Sequence, residues 1–181
     1  MHRDPILQLL KRYGDRYPRE RRTVDSFRAF VTDHEDCFER SQLSGHVTGS
    51  AWLTDRAGGH VLLTHHKKLN LWLQLGGHAD GEADVLQVAL REAIEESGIE
   101  SLKAVGAELF DIDIHSIPAR KHEPEHYHYD ARFAFRCVET DQFTVSEESH
   151  ALEWVAINRL KEKTSDESMH RMAEKWLSQA G

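Results

Sequence analysis

Three glutamates, Glu92, Glu95 and Glu96, crowd the stretch "GGHADGEADVLQVALREAIEESGIE", residues 76–100. If that stretch is helical, side chains three and four apart are neighbours and these carboxylates face each other. Each like-charge pair then costs roughly 0.2–0.5 kcal/mol, a repulsion that a cation would offset. Hard divalent cations such as Mg²⁺ take oxygen ligands of this kind and keep several waters. The alternative is an exposed acidic helix end, helped by Arg91 pairing with Glu95 at i,i+4. Spacing alone leaves both readings open.

The elements that must position these groups follow from local pattern. Residues 84–97 read as a helix, with Asp84 as N-cap and Gly98 as the left-handed C-terminal residue. Leu86, Leu90, Ala93 and Ile94 form one apolar stripe. Val85, Val88 and Ala89 begin a second, which gives way to the three glutamates. The helix is therefore expected to be buried on two sides, except where the carboxylates converge. Before it, "HVTGSAWLTD" (46–55) and "GGHVLLTHH" (58–66) read as a hairpin turning at Arg56–Gly59, and 71–75 as a short extended piece. After it, 102–117 is strand-rich with a break at Gly106, and 126–139 and 152–157 are strands. Residues 4–13, 24–32, 158–163 and 166–179 read as helices. Strands and helices mixed around one sheet make an α/β or α+β sandwich.

A second group of chemically able residues lies on the 126–136 strand. Its alternation puts Tyr127, Tyr129, Ala131, Phe133 and Phe135 on one face, expected to be core. His126, His128, Asp130, Arg132 and Arg136 take the other. That His-x-His-x-Asp row either lines a cleft or adds a metal ligand, or is a solvated sheet face. His78, directly after the double glycine, has the same two readings. Lys67 and Lys68, after His65 and His66, either meet a phosphate or sit in a solvated loop.

The chain has 181 residues and a formal net charge of −8, which suits one compact domain and argues against a general nucleic-acid binder. Arg3, Lys11, Arg12, Arg16, Arg19, Arg21, Arg22 and Arg28 crowd the first part and read as a solvated helix face in preference to a phosphate patch. No apolar run approaches a membrane span of ~20 residues, and the charged N-terminus lacks a signal-peptide core. Cys37 and Cys137 lie outside any metal-type spacing. Together these point to a cytoplasmic chain with ordinary thiols.

The stretch also resembles the Nudix box, Gly-x5-Glu-x7-Arg-Glu-aliphatic-x-Glu-Glu-x-Gly-aliphatic. Arg91, Glu92, Ala93, Ile94, Glu95, Glu96, Ser97, Gly98 and Ile99 match its second half position by position. The first half slips. Five residues lead from Gly76 to Glu82, but eight, not seven, then precede Arg91. Counted back from Arg91, the glycine position holds Gly77 and the glutamate position Ala83. The order of elements over about residues 45–180 also resembles the family, with residues 1–44 as an N-terminal helical extension to a domain spanning 45–181.

The resemblance implies a Nudix-type α/β/α sandwich with a mixed sheet. It also implies a hydrolase that cleaves a diphosphate linkage in a nucleoside-diphosphate derivative or related organic diphosphate. Its cofactor would be Mg²⁺, with Mn²⁺ as a substitute. Glu92, Glu95 and Glu96 would be metal ligands, with the Gly76–Gly77 loop bringing backbone carbonyls, Gly77 above all, close to the metals. Glu95, Glu96 and Arg91 would serve catalysis, Arg91 by bracing the carboxylates. His126, His128, Asp130 and His78 would contact substrate. The general base stays open, with Glu123, Glu125, Glu147 and Glu148 as later-loop candidates beside the box glutamates. The partner would be a small-molecule diphosphate, with no nucleic acid or membrane, and residues 1–44 could build a homodimer. Two other readings compete. Isopentenyl-diphosphate isomerases place a cysteine immediately before their Gly/Ser-His, where this chain has Gly76. Non-catalytic Nudix-fold binding modules have usually lost box glutamates that this chain keeps.

Overall fold

Gly45–Thr54 (β1) is buried at all ten positions, and the rest of the molecule is arranged around it. A computed structural model describes residues 2–67, 70–119, 124–146 and 149–179. Its other strands are β2 (His60–His66), β3 (Leu71–Leu73), β4 (Leu75–His78), β5 (Leu102–Ala104), β6 (Asp111–Ile117), β7 (His126–Cys137) and β8 (Ser149–Ala156). The helices are α1 (Asp4–Arg16), α2 (Arg21–Asp33), α3 (Val85–Ser97) and α4 (Glu167–Gln179). The helix expected at 158–163 is a 3₁₀ helix, Ile157–Glu162.

The sheet is mixed. β1 runs parallel to β7 from Gly45↔Tyr127 to Thr54↔Arg136. Every other pairing is antiparallel: β4 on β1, β2 on β8 and β3, and β5 and β6 on β7. The expected hairpin survives only at its root, where Thr54 pairs Val61. Asp55 holds that turn by accepting hydrogen bonds from the amides of Gly59 and His60. Beyond it the strands diverge, β1 into β7 and β2 into β8. A buried strand must hydrogen-bond along both edges, and tertiary partners supply more of that than the local turn.

Two apolar clusters, one on each face of the sheet, make the sandwich. On one face Val47, Ala51, Leu53, Ala131, Phe133 and Phe135 meet Val85, Val88 and Ala89 of α3 and Val24, Phe27 and Val31 of α2. Gly49 is required there, because a Cβ would lie 2.9 Å from Val88 Cγ1 and 3.0 Å from the Ala89 amide nitrogen. On the other face Trp52, Leu63, Ala134 and Val155 pack against Met169, Met172 and Trp176 of α4.

The N-terminal helices are joined to this body by the same core. Phe30 stacks on Tyr129, with ring centroids 3.8 Å apart and planes 6° from parallel. Arg3 is not part of a solvated face: it is buried and donates to the carbonyls of Val31 and Thr32. The expected strand faces also need correction. Tyr127 is 46% exposed and lies at the open end of the face assigned to the core. The face read as polar is itself largely buried, with Asp130 at 1% and Arg132 at 2%.

That polar interior is held by ion pairs. Arg132 donates to Asp130 and Asp111 at 2.7 and 3.2 Å. Asp111 also accepts from Arg171 and, at 2.6 Å, from Lys175 of α4. Charges this deep are tolerable only when paired and hydrogen-bonded. The alternating sequence "DIDIHSI" of β6 supplies the acidic half, with Ile112 turned to the opposite core.

Candidate active site

The double glycine of β4 brings the glutamates of α3 to the cleft. Asp84 caps the helix by accepting from the Gln87 amide, and Gly98 ends it at φ 68°. Its most buried face runs through Val85, Val88, Ala89, Ala93 and Glu96, while Leu86, Leu90 and Ile94 are only half-buried. Of the two expected stripes, the one read through Leu86, Leu90, Ala93 and Ile94 is the shallower at all positions but Ala93. Close approach to Gly49 decides this, and it carries Glu92 and Glu96 inward on the same side as Val85, Val88 and Ala89.

β4 then passes directly over that face. The Gly76 amide donates to Glu96 Oε1 at 2.8 Å. A Cβ on Gly77 would lie 2.6 Å from Glu92 Cδ, and one on Gly76 would lie 2.8 Å from Ser50 Cα. The Ser50 backbone leaves no room for a side chain at Gly76, whereas at Gly77 the atoms in the way belong to the movable Glu92 carboxylate. Arg91 donates from one nitrogen to Glu92 Oε1 at 2.9 Å and to the His78 carbonyl at 3.0 Å. It thus ties the helix to β4, and its partner is Glu92, not Glu95.

The result is a cleft of about 510 Å³. Glu82, Arg91, Glu92, Glu95 and Glu96 line one side. Arg40, Asp80, Gly77 and His78 line the approach, and Thr48, Ser50, His115, His128 and Asp130 the sheet wall. Glu96 is 8% exposed. Carboxylates held this deep beside bare backbone suit a hard divalent cation with several waters. Arg40 pairs with Asp80 across the mouth, and its hydrogen bond is the main reason the Asp80 pKa is lowered. Glu82 accepts from the Asp84 amide at 2.8 Å, so it also organises the loop entering α3.

The sequence-derived histidine row divides. His128 lines this cleft, whereas His126 borders an adjoining hollow with His46, His78 and Arg40. Asp130 reaches the cleft wall, but its oxygens are engaged. Oδ1 accepts from Thr48 and Ser50, and Oδ2 from Gln74 and Arg132. Burial depresses the pKa of His78 to about 4 and of His128 to about 2, with neighbouring cations and imidazoles adding to it. Both rings are neutral near pH 7. Of the later-loop acids, Glu125 accepts from Ser116 Oγ at the surface. Glu123, Glu147, Glu148 and Lys68 lie outside the described residues.

Pattern reading missed Arg40, His46 and His115. His46 and His115 carried a signal: "HVTGSAW" and "DIDIHSI" alternate polar with apolar or glycine just as 126–136 does. Arg40 carried none, because a turn residue between elements has no periodicity to betray it.

Comparison with known proteins follows the same outline. The NUDIX domain family model matches residues 45–176. No curated protein matches the chain in sequence. Among solved structures, a NUDIX-family hydrolase from Clostridium perfringens is 24% identical, with a TM-score of 0.55 over 72% of this chain and 95% of that one. The MutT protein of Methanosarcina mazei is 17% identical, with a TM-score of 0.60 over 77% and 97%. A C. elegans Ap4A hydrolase is 19% identical, with a TM-score of 0.54 over 74% and 96%. At these identities the structural likeness is one of fold.

Proposed function

The chain belongs to the Nudix family of hydrolases that act on pyrophosphate bonds, and from that premise we propose a divalent-metal-dependent hydrolase of a nucleoside-diphosphate derivative or related organic diphosphate. The observation that carries this reading is the crossing of β4 over α3. It packs the Gly76 amide on Glu96 and the Gly77 backbone on Glu92, at the floor of a cleft rimmed by Arg40 and Arg91.

Glu92, Glu95 and Glu96, with the Gly77 carbonyl, would hold Mg²⁺, or Mn²⁺ in its place. The donor set is all oxygen, as those cations require. A cation there neutralises phosphate charge and lowers the pKa of water, the two obstacles to attack on a diphosphate. The protein's own groups do the rest. Arg91 fixes the Glu92 carboxylate, and the Gly76 amide fixes that of Glu96. Arg40 offers charge at the mouth, and the buried sheet wall limits water. Glu95 and Glu96 would be the box carboxylates that take a proton from attacking water. His78 and His128 meet the substrate as neutral donors or acceptors. Residues 1–44 stand as an addition to the family domain of 45–181, and the protein works in the cytoplasm.

Phosphate release from a panel of dinucleotides, nucleotide sugars and nucleoside triphosphates, with Mg²⁺ or Mn²⁺, tests this reading. Metal-dependent turnover of one class supports it. No turnover of any diphosphate by folded protein overturns it.

A further inference from the structure

The polar face of the sheet carries a second constellation, which shares His78 and His128 with the wall of the cleft. Strand register lines up three imidazoles side by side: His115 of β6 pairs His128 of β7, which pairs His46 of β1. His126 lies two residues along β7 and His78 one strand over on β4, opposite Thr48. The His46 ring centroid is 4.9 Å from that of His128, 5.0 Å from that of His78 and 5.0 Å from that of His126. Five histidines on four separate strands thus meet around one point.

Within that group His46, His78 and His128 bring potential ligand nitrogens within 4.8 Å of one another. The three box carboxylates do not converge this tightly, since no other trio among the described residues meets that spacing. His46 is 4% exposed, and neither of its ring nitrogens has a partner at good hydrogen-bond geometry, the Gln42 backbone offering only a weak one. His128 Nε2 is likewise buried without one. Buried polar nitrogens left without partners cost stability, and native folds rarely leave several together.

We propose that His46, His78 and His128 bind one borderline transition-metal cation, Zn²⁺ being the best match, at a site distinct from the box carboxylates. Imidazole nitrogen selects Zn²⁺ and its neighbours in the series, whereas carboxylate and carbonyl oxygens select Mg²⁺. Zn–N bonds of about 2.0–2.1 Å in a tetrahedral set place nitrogens ~3.3 Å apart, so small ring rotations close the site. Three histidines leave a fourth position. His78 borders both the cleft and the adjoining hollow, which gives the ion a way in. The two remaining imidazoles have partners of their own. His126 Nδ1 lies 2.9 Å from the Pro124 carbonyl, which only accepts, so that nitrogen carries the ring proton. His115 Nδ1 lies 3.1 Å from the Asp113 carboxylate.

The test uses the full chain, stripped by chelator and titrated with Co²⁺ or Zn²⁺ alone, then again with Mg²⁺ in large excess. One equivalent of Co²⁺ should bind with the strong visible bands of a four-coordinate ion, and excess Mg²⁺ should not displace it. His78→Ala, at a partly exposed position, and His128→Asn should each weaken Zn²⁺ binding by at least ~10–100-fold, at or above the loss seen for groups that merely brace a ligand. Glu96→Gln should leave it within about threefold, since by oxygen-ligand preference that carboxylate belongs to the Mg²⁺ set. Absence of stoichiometric binding by folded protein overturns the proposal. So does binding that survives both histidine variants, or that is lost in Glu96→Gln instead. Diphosphate hydrolysis is not the readout, so this site and the hydrolase reading can fail separately.

Discussion

Gly76 donates its amide proton to Glu96 Oε1 at 2.8 Å, across twenty residues of chain. This bond pins the deepest carboxylate of α3 against β4 and fixes where a cation would meet it. Glu96→Gln keeps an oxygen that can accept the same bond, so the fold should survive. The charge is lost, and kcat should fall by about 10²-fold or more. Circular dichroism and steady-state kinetics on one preparation check both halves. A folded variant with full activity and normal metal dependence would remove Glu96 from the site.

Glu82→Gln should be milder, lowering kcat by less than about tenfold. Its carboxylate accepts from the Asp84 amide, a bond that an amide oxygen also serves. The loop half of the motif is out of register here, and that places Glu82 at the loop rather than at the convergence of α3 and β4. Equal losses in Glu82→Gln and Glu96→Gln would return Glu82 to the catalytic core.

Gly77→Ala puts a methyl group where the Glu92 carboxylate lies. The contact is with a side chain, so the protein should fold while Glu92 is pushed aside. A Mg²⁺ titration of activity should show the half-saturating concentration raised by about tenfold or more, since ligand-orienting changes typically cost that much. An unchanged titration would mean that Glu92 does not hold the cation.

Phe30→Ala probes how firmly the N-terminal helices belong to the body. The ring is buried and stacked on Tyr129. Its removal should cost about 3 kcal/mol in urea unfolding, as for other buried aromatic truncations. A loss below ~0.5 kcal/mol, the range of ordinary surface substitutions, would show that α2 contributes little to the shared core.

Asp113 gives a pH signature. Burial works to raise its pKa, but the hydrogen bond from His115 and the charges of Arg132 and Arg171 prevail and lower it from 3.8 to about 2. The unfolded chain therefore binds the proton more readily. The stabilisation is full above pH ~4 and is lost as pH falls toward 2. Asp113→Asn should cost about 2 kcal/mol at neutral pH, and the gap to wild type should close as the pH approaches 2. A gap that stays constant between pH 6 and 2 would show that the carboxylate charge is not what matters.

Much of this protein is legible in its sequence because the relevant signals are local. Helical spacing, the Asp84 cap and Gly98 delimit α3, and the run Arg91–Ile99 carries the family's motif within consecutive residues. Period-two alternation likewise marks β7. What alternation cannot say is what covers each face. Tyr127 is aromatic yet exposed, and Asp130 and Arg132 are charged yet buried. Only tertiary structure supplies the Asp111–Arg171–Lys175 network and α4 that make that burial tolerable. The same holds for the imidazoles. His46, His78, His115 and His128 are scattered over eighty residues, and nothing local relates them. The parallel register of β1 on β7 and the antiparallel register of β6 on β7 bring them together. Register is set by long-range hydrogen bonding and by which faces the helices cover, and a one-residue slip would turn every one of those rings to the opposite side.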